Sequence, residues 1–224
     1  MIVFLDVRDK TVVLKFGTNS LVRGNYPNIN RDTVYRIAHE VSGLARAGVH
    51  ACIVTSGAVA AGMELLGYRR RPEGFGERRV FAALGGRLLW NLYAAAFEEH
   101  GLEVAYCPVS GNYNFYDGLG GIMGLSRSEG FILLLNTYDA MLEYVRDNDT
   151  LAAEVACDAQ ADALVVFTDS GTMGTGNGES KQQAMEKMAL HNKVQARLGL
   201  RQTSVQVLGI ESLEEACKSL YRIR

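Results

Sequence analysis

The chain has 224 residues, of which 48% are hydrophobic and 21% charged, with a formal net charge of −2. That balance suits a globular domain with a sizeable core and excludes a disordered chain. With no excess of basic charge, neither nucleic acid nor a membrane is expected as a partner. The opening MIVFLDVRDK is too short an apolar run for a signal peptide, and no stretch approaches the ~18 apolar residues of a membrane span, so a cytoplasmic location is expected. Cys52, Cys107, Cys157 and Cys217 are scattered, with no CxxC pair and no metal-ligand spacing. They are expected to be buried free thiols, and no metal site is expected.

Short apolar runs alternate with longer amphipathic ones. Residues 11–16 (TVVLKF) read as a buried strand, and 31–47 as a helix, because Val34, Ile37, Ala38, Val41 and Leu44 fall at helical spacing. A strand at 50–55 (HACIVT) ends on Ser56-Gly57, and helices follow at 58–66 and 80–100. Between those helices, 68–79 (YRRRPEGFGERR) reads as a solvated loop. Next come a strand at 104–108, a helix at 119–129, a strand at 131–135 (FILLL), a helix at 149–160 and a strand at 163–168 (ALVVFT). The glycine-rich 170–180 (SGTMGTGNGES) is a loop, 181–198 a helix, 203–208 the last strand and 212–221 the last helix. This alternation implies βαβ units and a mainly parallel sheet.

In such sheets ligands bind beyond the C-terminal strand ends. Four strands deliver polar and small residues there: Gly17-Thr18-Asn19-Ser20, Ser56-Gly57-Ala58, Asn136 to Asp139, and Thr168-Asp169-Ser170-Gly171. Lys15 ends an apolar strand; its amine either meets an anion or reaches water along a packed stem. Gly17 lets backbone approach a ligand closely, and the amides that follow are able to bind phosphate oxygens. The run Gly174-Thr175-Gly176-Asn177-Gly178-Glu179-Ser180-Lys181 opens a helix, a general anion-binding arrangement that has neither Walker nor dinucleotide spacing and reads equally well as a flexible connection. Asp147-Asn148-Asp149-Thr150 stands where a helix begins, either as a cap or as a group that binds an ammonium or orients lysines. His39, His50, His100 and His191 have no partner spacing and read as surface or helix-end residues; Tyr113, Phe115 and Tyr116 read as loop or subunit packing.

The order of these segments resembles the amino-acid kinase family, and within it the glutamate 5-kinases. The similarity is carried by Val13-Leu14-Lys15-Phe16-Gly17-Thr18, Val54-Thr55-Ser56-Gly57-Ala58-Val59-Ala60-Ala61-Gly62 and Leu135-Asn136-Thr137-Tyr138-Asp139-Ala140. It continues in Asp147-Asn148-Asp149-Thr150-Leu151-Ala152-Ala153, Phe167-Thr168-Asp169, and Gly174-Thr175-Gly176 with Lys181, and runs to about Lys187. The resemblance implies an open αβα sandwich: one domain over 1–224, with an acceptor lobe to about 150 and a shortened nucleotide lobe over about 151–224.

It further implies ATP as donor, Mg2+ carried on its phosphates, and phosphorylation of the γ-carboxylate of L-glutamate, the first step of proline biosynthesis. Carried over by position, Lys15 and Lys181 would neutralise the transferring group, and Asp149 would position both. Gly17, Thr18 and Asn19 would hold phosphate oxygens through their amides. Ser56, Gly57, Asp139 and Asn148 would bind the acceptor, and Thr168, Asp169, Gly174, Thr175, Gly176 and Lys181 would form the nucleotide side. A homo-oligomer, dimer or tetramer, is implied in the same way. The chain departs from the family pattern at Tyr138, Gly86 and Asn177-Gly178, in the short 139–147 link, and in having four residues between Asp169 and Gly174 where the family has a few dozen. By the same resemblance, the RNA-binding-like (PUA) domain of many family members is not expected within these 224 residues. Two alternatives stand beside this reading: a kinase of the same architecture acting on carbamate, a phosphonate, a nucleotide or isopentenyl phosphate, and an inactive ligand-binding homologue.

Overall fold

The computed structural model describes residues 10–22, 26–109, 115–137, 148–168, 185–186, 188–189, 192–193 and 202–220. Six strands form one sheet: β1 (Lys10–Phe16), β2 (Val49–Thr55), β3 (Val104–Val109), β4 (Ile132–Thr137), β5 (Ala163–Thr168) and β6 (Ser204–Gly209). They lie in the order β3-β4-β2-β1-β5-β6, and every pairing is parallel. β1, β4 and β5 are buried along their whole length. Strands covered on both faces have no solvent side, which is why they read as unbroken apolar runs.

The helices are α1 (Thr18–Leu21), α2 (Arg31–Arg46), α3 (Ala58–Leu66), α4 (Phe75–Glu98), α5 (Phe115–Glu129), α6 (Asn148–Asp158) and α7 (Leu213–Leu220). On one face of the sheet, Val12, Leu14 and Phe16 pack with Ile37 and Val41 of α2, Leu89 and Tyr93 of α4, and Leu213 of α7. On the other face, Val13, Leu133 and Leu164 pack with Met123 of α5 and with Leu151 and Val155 of α6. The two-residue period of a strand therefore turns Val13 and Lys15 toward α6. The expected α/β sandwich with a parallel sheet is what the structure shows.

Some boundaries differ from expectation. α4 begins at Phe75 rather than at 80, so the solvated loop is shorter than 68–79. Glu77, Arg78 and Arg79 are good helix formers, and a charge run is compatible with an exposed first turn. α5 likewise starts at Phe115, and β4 extends to Thr137, burying the polar Asn136 and Thr137. Within 181–198, the described residues 185–186, 188–189 and 192–193 are helical. His50 is not a surface residue: it is half-buried in β2, where Nε2 lies 2.8 Å from Ser126 Oγ. His39 and His100 meet edge to face at 5.4 Å, and His191 lies outside the described residues. Cys52 and Cys217 are buried, whereas Cys107 and Cys157 are only partly so, and all four are unbridged.

The turn from β1 carries the chain toward β2, and β6 follows β5 on the opposite side. Such a reversal opens a crevice at the C-terminal ends of β1 and β5. α3 and α4 cross behind the neighbouring β2 rim in backbone contact. A Cβ on Gly85 would stand 1.8 Å from the Ala58 carbonyl oxygen, and one on Gly62 2.0 Å from that of Phe81.

Candidate active site

Lys15 is the penultimate residue of β1 and points toward the start of α6. Its Nζ lies 2.6 Å from Asp149 Oδ1, with the two side chains 4% and 9% exposed. Burying an ammonium is costly without a counter-charge, and the carboxylate offsets that cost. Asp149 stands in the first turn of α6, where backbone N–H groups also favour a negative charge. The choice left open for Lys15 is thereby decided: its amine is buried and paired at the crevice. Asp149 pairs with this ammonium from the first turn of α6, in addition to any role in starting the helix.

The turn after β1 is built around this amine. A Cβ on Gly17 would come within 3.5 Å of Lys15 Nζ. The φ of Gly17 is −73°, open to any residue, and a Cβ there would make only ordinary van der Waals contact with the ammonium. Gly17 donates its N–H to the Phe167 carbonyl of β5 at 3.2 Å, and Ser20 Oγ donates to the same oxygen at 3.1 Å. The Gly17 amide is thus engaged in closing β1 onto β5, which corrects the expectation that it faces a phosphate. Thr18 is partly exposed and Asn19 exposed on the same turn. The Phe16 and Phe167 rings stack at 5.0 Å, holding the two strand ends together beneath the crevice. Thr168, the last residue of β5, is buried at the rim.

On the β2 side, Ser56 donates its N–H to the Phe16 carbonyl at 3.0 Å, and Gly57 turns the chain into α3 with φ +98°. That left-handed conformation favours glycine. Thr55 Oγ1 lies 3.2 Å from Tyr93 Oη beneath the turn, and burial pushes the Tyr93 phenol well above its ordinary range. Asn148 accepts the Thr137 N–H through Oδ1 at 2.9 Å, tying the end of β4 to the start of α6. Lys15, Gly17, Thr18, Asn19, Ser56, Gly57, Asn148, Asp149 and Thr168 are thus gathered on the C-terminal rim of four adjacent strands. Asp139, Asp169, Gly174, Thr175, Gly176 and Lys181 lie outside the described residues. Among the described residues, no cluster of three or more His, Cys, Asp or Glu side chains could hold a metal ion.

Comparison with known proteins decides which family this site belongs to. The profile of the amino acid kinase family matches residues 10–203. The chain belongs to the amino acid kinase family. Its relatives include a glutamate 5-kinase from Neisseria gonorrhoeae, 34% identical over 183 residues, covering 79% of this chain and 62% of that protein. A glutamate 5-kinase from Carboxydothermus hydrogenoformans is 30% identical over 230 residues, covering 93% of this chain and 59% of the relative. Glutamate 5-kinase 2 from Bacillus subtilis is 32% identical over 188 residues, 80% of this chain and 50% of that protein. This amino acid kinase chain therefore spans between half and two thirds of the length of these relatives. The same fold is present in the T. acidophilum isopentenyl phosphate kinase (TM-score 0.63, 13% identity, 92% of this chain and 94% of that one). It is also present in the Giardia lamblia carbamate kinase (TM-score 0.62, 14% identity, 96% and 97%).

Two residues of this amino acid kinase site had no role assigned from sequence. Ser20 was one polar residue in a polar run, and its bond to a carbonyl 147 positions away leaves no local pattern. Thr137 contributes a backbone N–H, which no side-chain motif reports.

Proposed function

We propose that this chain transfers the γ-phosphoryl group of ATP to the γ-carboxylate of L-glutamate, releasing ADP and glutamyl 5-phosphate, in the cytoplasm and as the opening step of proline biosynthesis. The observation that carries this reading is the buried Lys15–Asp149 pair at the β1–β5 crevice. The glutamate 5-kinase relatives supply the acceptor.

The chemistry asks little covalent help of the protein. A glutamate carboxylate is ionised at neutral pH and needs no general base. One of its oxygens attacks the γ-phosphorus, the bond to the β–γ bridging oxygen breaks, and ADP leaves with that electron pair; no proton moves. Negative charge shifts across the phosphoryl oxygens, and fixed cations stabilise it. Lys15, aimed by Asp149, is one of them, and Lys181 is proposed as the second. Asn148, Ser56, Gly57 and Asp139 would hold glutamate. Thr168, Asp169 and the Gly174, Thr175 and Gly176 turn would hold the nucleotide, with Thr18 and Asn19 at the phosphates. Mg2+ would arrive on the ATP phosphates.

The test is coupled ADP release with Mg-ATP and a panel of L-glutamate, carbamate and small phosphorylated acceptors. Glutamate-dependent turnover that disappears in Lys15→Met supports the proposal. Turnover with another acceptor alone moves the assignment to a sister kinase, and nucleotide-independent glutamate binding without turnover moves it to a ligand-binding protein.

A further inference from the structure

α4 is long and apolar enough to cross a membrane by length and composition, and here its inner side supplies Phe81, Leu89, Tyr93 and Phe97 to the core. Of these, Tyr93 alone carries a polar atom. It is 0% exposed, so its hydroxyl has been taken out of water, and a phenylalanine would fill nearly the same space without that cost. The hydroxyl lies 3.2 Å from Oγ1 of Thr55, itself 1% exposed, and Thr55 Oγ1 donates to the Ser56 carbonyl at 3.2 Å. Each hydroxyl has a single proton. Thr55 gives its own to Ser56 O, so Tyr93 donates to Thr55, and the chain runs one way from phenol to carbonyl. Burial raises the Tyr93 phenol well above its ordinary range, so this donor keeps its proton at neutral pH.

That carbonyl belongs to the peptide that opens α3. Gly57 has φ +98° and ψ −1°, the dihedrals of the third residue of a type II turn. A type I turn differs by a flip of the central peptide, here Ser56–Gly57, and sets its third residue at φ near −90°, which glycine adopts as readily. Glycine alone therefore does not choose between the two. The choice matters because a trans peptide points its N–H opposite to its C=O. With the Ser56 carbonyl drawn to Thr55 on the α4 face, the Gly57 N–H turns to the other side, where Lys15 meets Asp149. The start of α3 adds further donors. It has no side-chain cap, and its first intrahelical bond is from Ala61 N–H to Gly57 O at 2.9 Å, which leaves the amides of Ala58, Val59 and Ala60 open. A flipped peptide would set a carbonyl oxygen beside those amides, where it repels an anion.

We propose that Tyr93 is a positioning residue for the acceptor: through Thr55 it holds the Ser56 carbonyl inward and so keeps the Gly57 N–H and the open first turn of α3 facing an acceptor carboxylate. The inference rests on the reading that the Ser56–Gly57 turn receives L-glutamate. Tyr93 itself touches no substrate; it acts through Thr55, and Thr55 acts through one peptide.

The experiment is ADP release by the full chain with Mg-ATP and L-glutamate, at a temperature where circular dichroism shows every variant folded. Tyr93→Phe should raise KM for glutamate about tenfold, as expected for a misdirected donor to a charged group, with KM for ATP within about twofold of wild type. Thr55→Val breaks the same chain one link later and should raise KM for glutamate equally, and the double variant no further, because both changes act on one carbonyl. Thr55→Ser restores the hydroxyl and should recover most of the loss seen in Thr55→Val. Should Tyr93→Phe fail to fold, the contrast between Thr55→Val and Thr55→Ser decides the matter. The inference is overturned by an unchanged KM for glutamate, by equal rises in KM for both substrates, by additive effects in the double variant, or by a Thr55→Ser chain no better than Thr55→Val. A wild-type chain that turns over no glutamate defeats the functional reading and this inference together; an active wild type with variants of unchanged KM defeats the inference alone.

Discussion

Replacing Asp149 by Asn keeps the shape of the side chain and removes the carboxylate charge beside Lys15. The ammonium left behind is 4% exposed, and the carboxylate oxygen it loses lies 2.6 Å away. At that separation the attraction is about 6 kcal/mol for an effective dielectric constant of about 20. Desolvation of both ions cancels part of it, and removing one member of a buried pair costs about 3–5 kcal/mol in practice. A loss of about 3 kcal/mol lowers Tm by roughly 6–12 °C in a domain of this size. The double variant Lys15→Met/Asp149→Leu has no buried charge to leave unpaired, and its stability should return to within about 1 kcal/mol of wild type.

Activity separates from stability in that pair of variants. If the proposed phosphoryl transfer is right, losing Lys15 removes one cation from the transferring group, and kcat should fall by about 10²–10³. Stability comes from urea unfolding or differential scanning calorimetry, and kcat from ADP release. The reasoning is refuted if Asp149→Asn unfolds within about 1 °C of wild type, or if the double variant is no more stable than the single one. An active double variant would refute the catalytic half alone.

Three further outcomes follow from the geometry. Gly85→Ala should force α3 and α4 apart, since its methyl would lie 1.8 Å from the Ala58 carbonyl oxygen; a loss of about 3 kcal/mol in chemical denaturation is expected, and, if the Ser56–Gly57 turn that opens α3 holds glutamate as proposed, a rise in its KM. An unchanged unfolding midpoint would show that the helices can slide without cost. Ser20→Ala should cost about 1 kcal/mol, because Phe167 O keeps the Gly17 donor, while kcat falls more than KM changes and Ser20→Thr recovers activity; equal loss in both variants would argue against a role for the hydroxyl. His50 is held down at about 4, from 6.5, by burial and then by the nearby Arg127 guanidinium. The unfolded chain therefore takes up a proton in that window which the folded chain refuses, so stability present above pH 6.5 is lost as pH falls toward 4, by about 2 kcal/mol for a half-buried ring. Tm of His50→Gln should fall less steeply than that of wild type across the same window, and parallel curves would remove His50 as the cause.

Most of the strands were legible because burial on both faces leaves a run such as TVVLKF or ALVVFT with no polar alternation, and their parallel pairing follows from the helices between them. The start of α4 was hidden because Glu77, Arg78 and Arg79 look alike in a loop and on the open side of a first turn. His50 was misread because its neighbours in sequence say nothing of Ser126, 76 positions away, whose hydroxyl meets the ring.

The same distinction runs through the site. A lysine at the end of an apolar strand has two physical outcomes, an amine led out to water or an amine held inside by an anion, and local sequence is compatible with both. The outcome depends on a residue 134 positions later. Asp149 reaches Lys15 because the two-residue period of β1 turns that side chain to the α6 face, and because α6 starts level with the β1 rim, where Asn148 pins it to the end of β4. Neither condition is a property of the DNDT or KFGT segment by itself. The motifs name the ion pair, but the parallel order of β4, β2 and β1 is what brings the pair together. For that reason Asn148 has a positional duty besides any contact with the acceptor: releasing the Thr137 N–H would loosen the first turn of α6, and with it the carboxylate that aims Lys15.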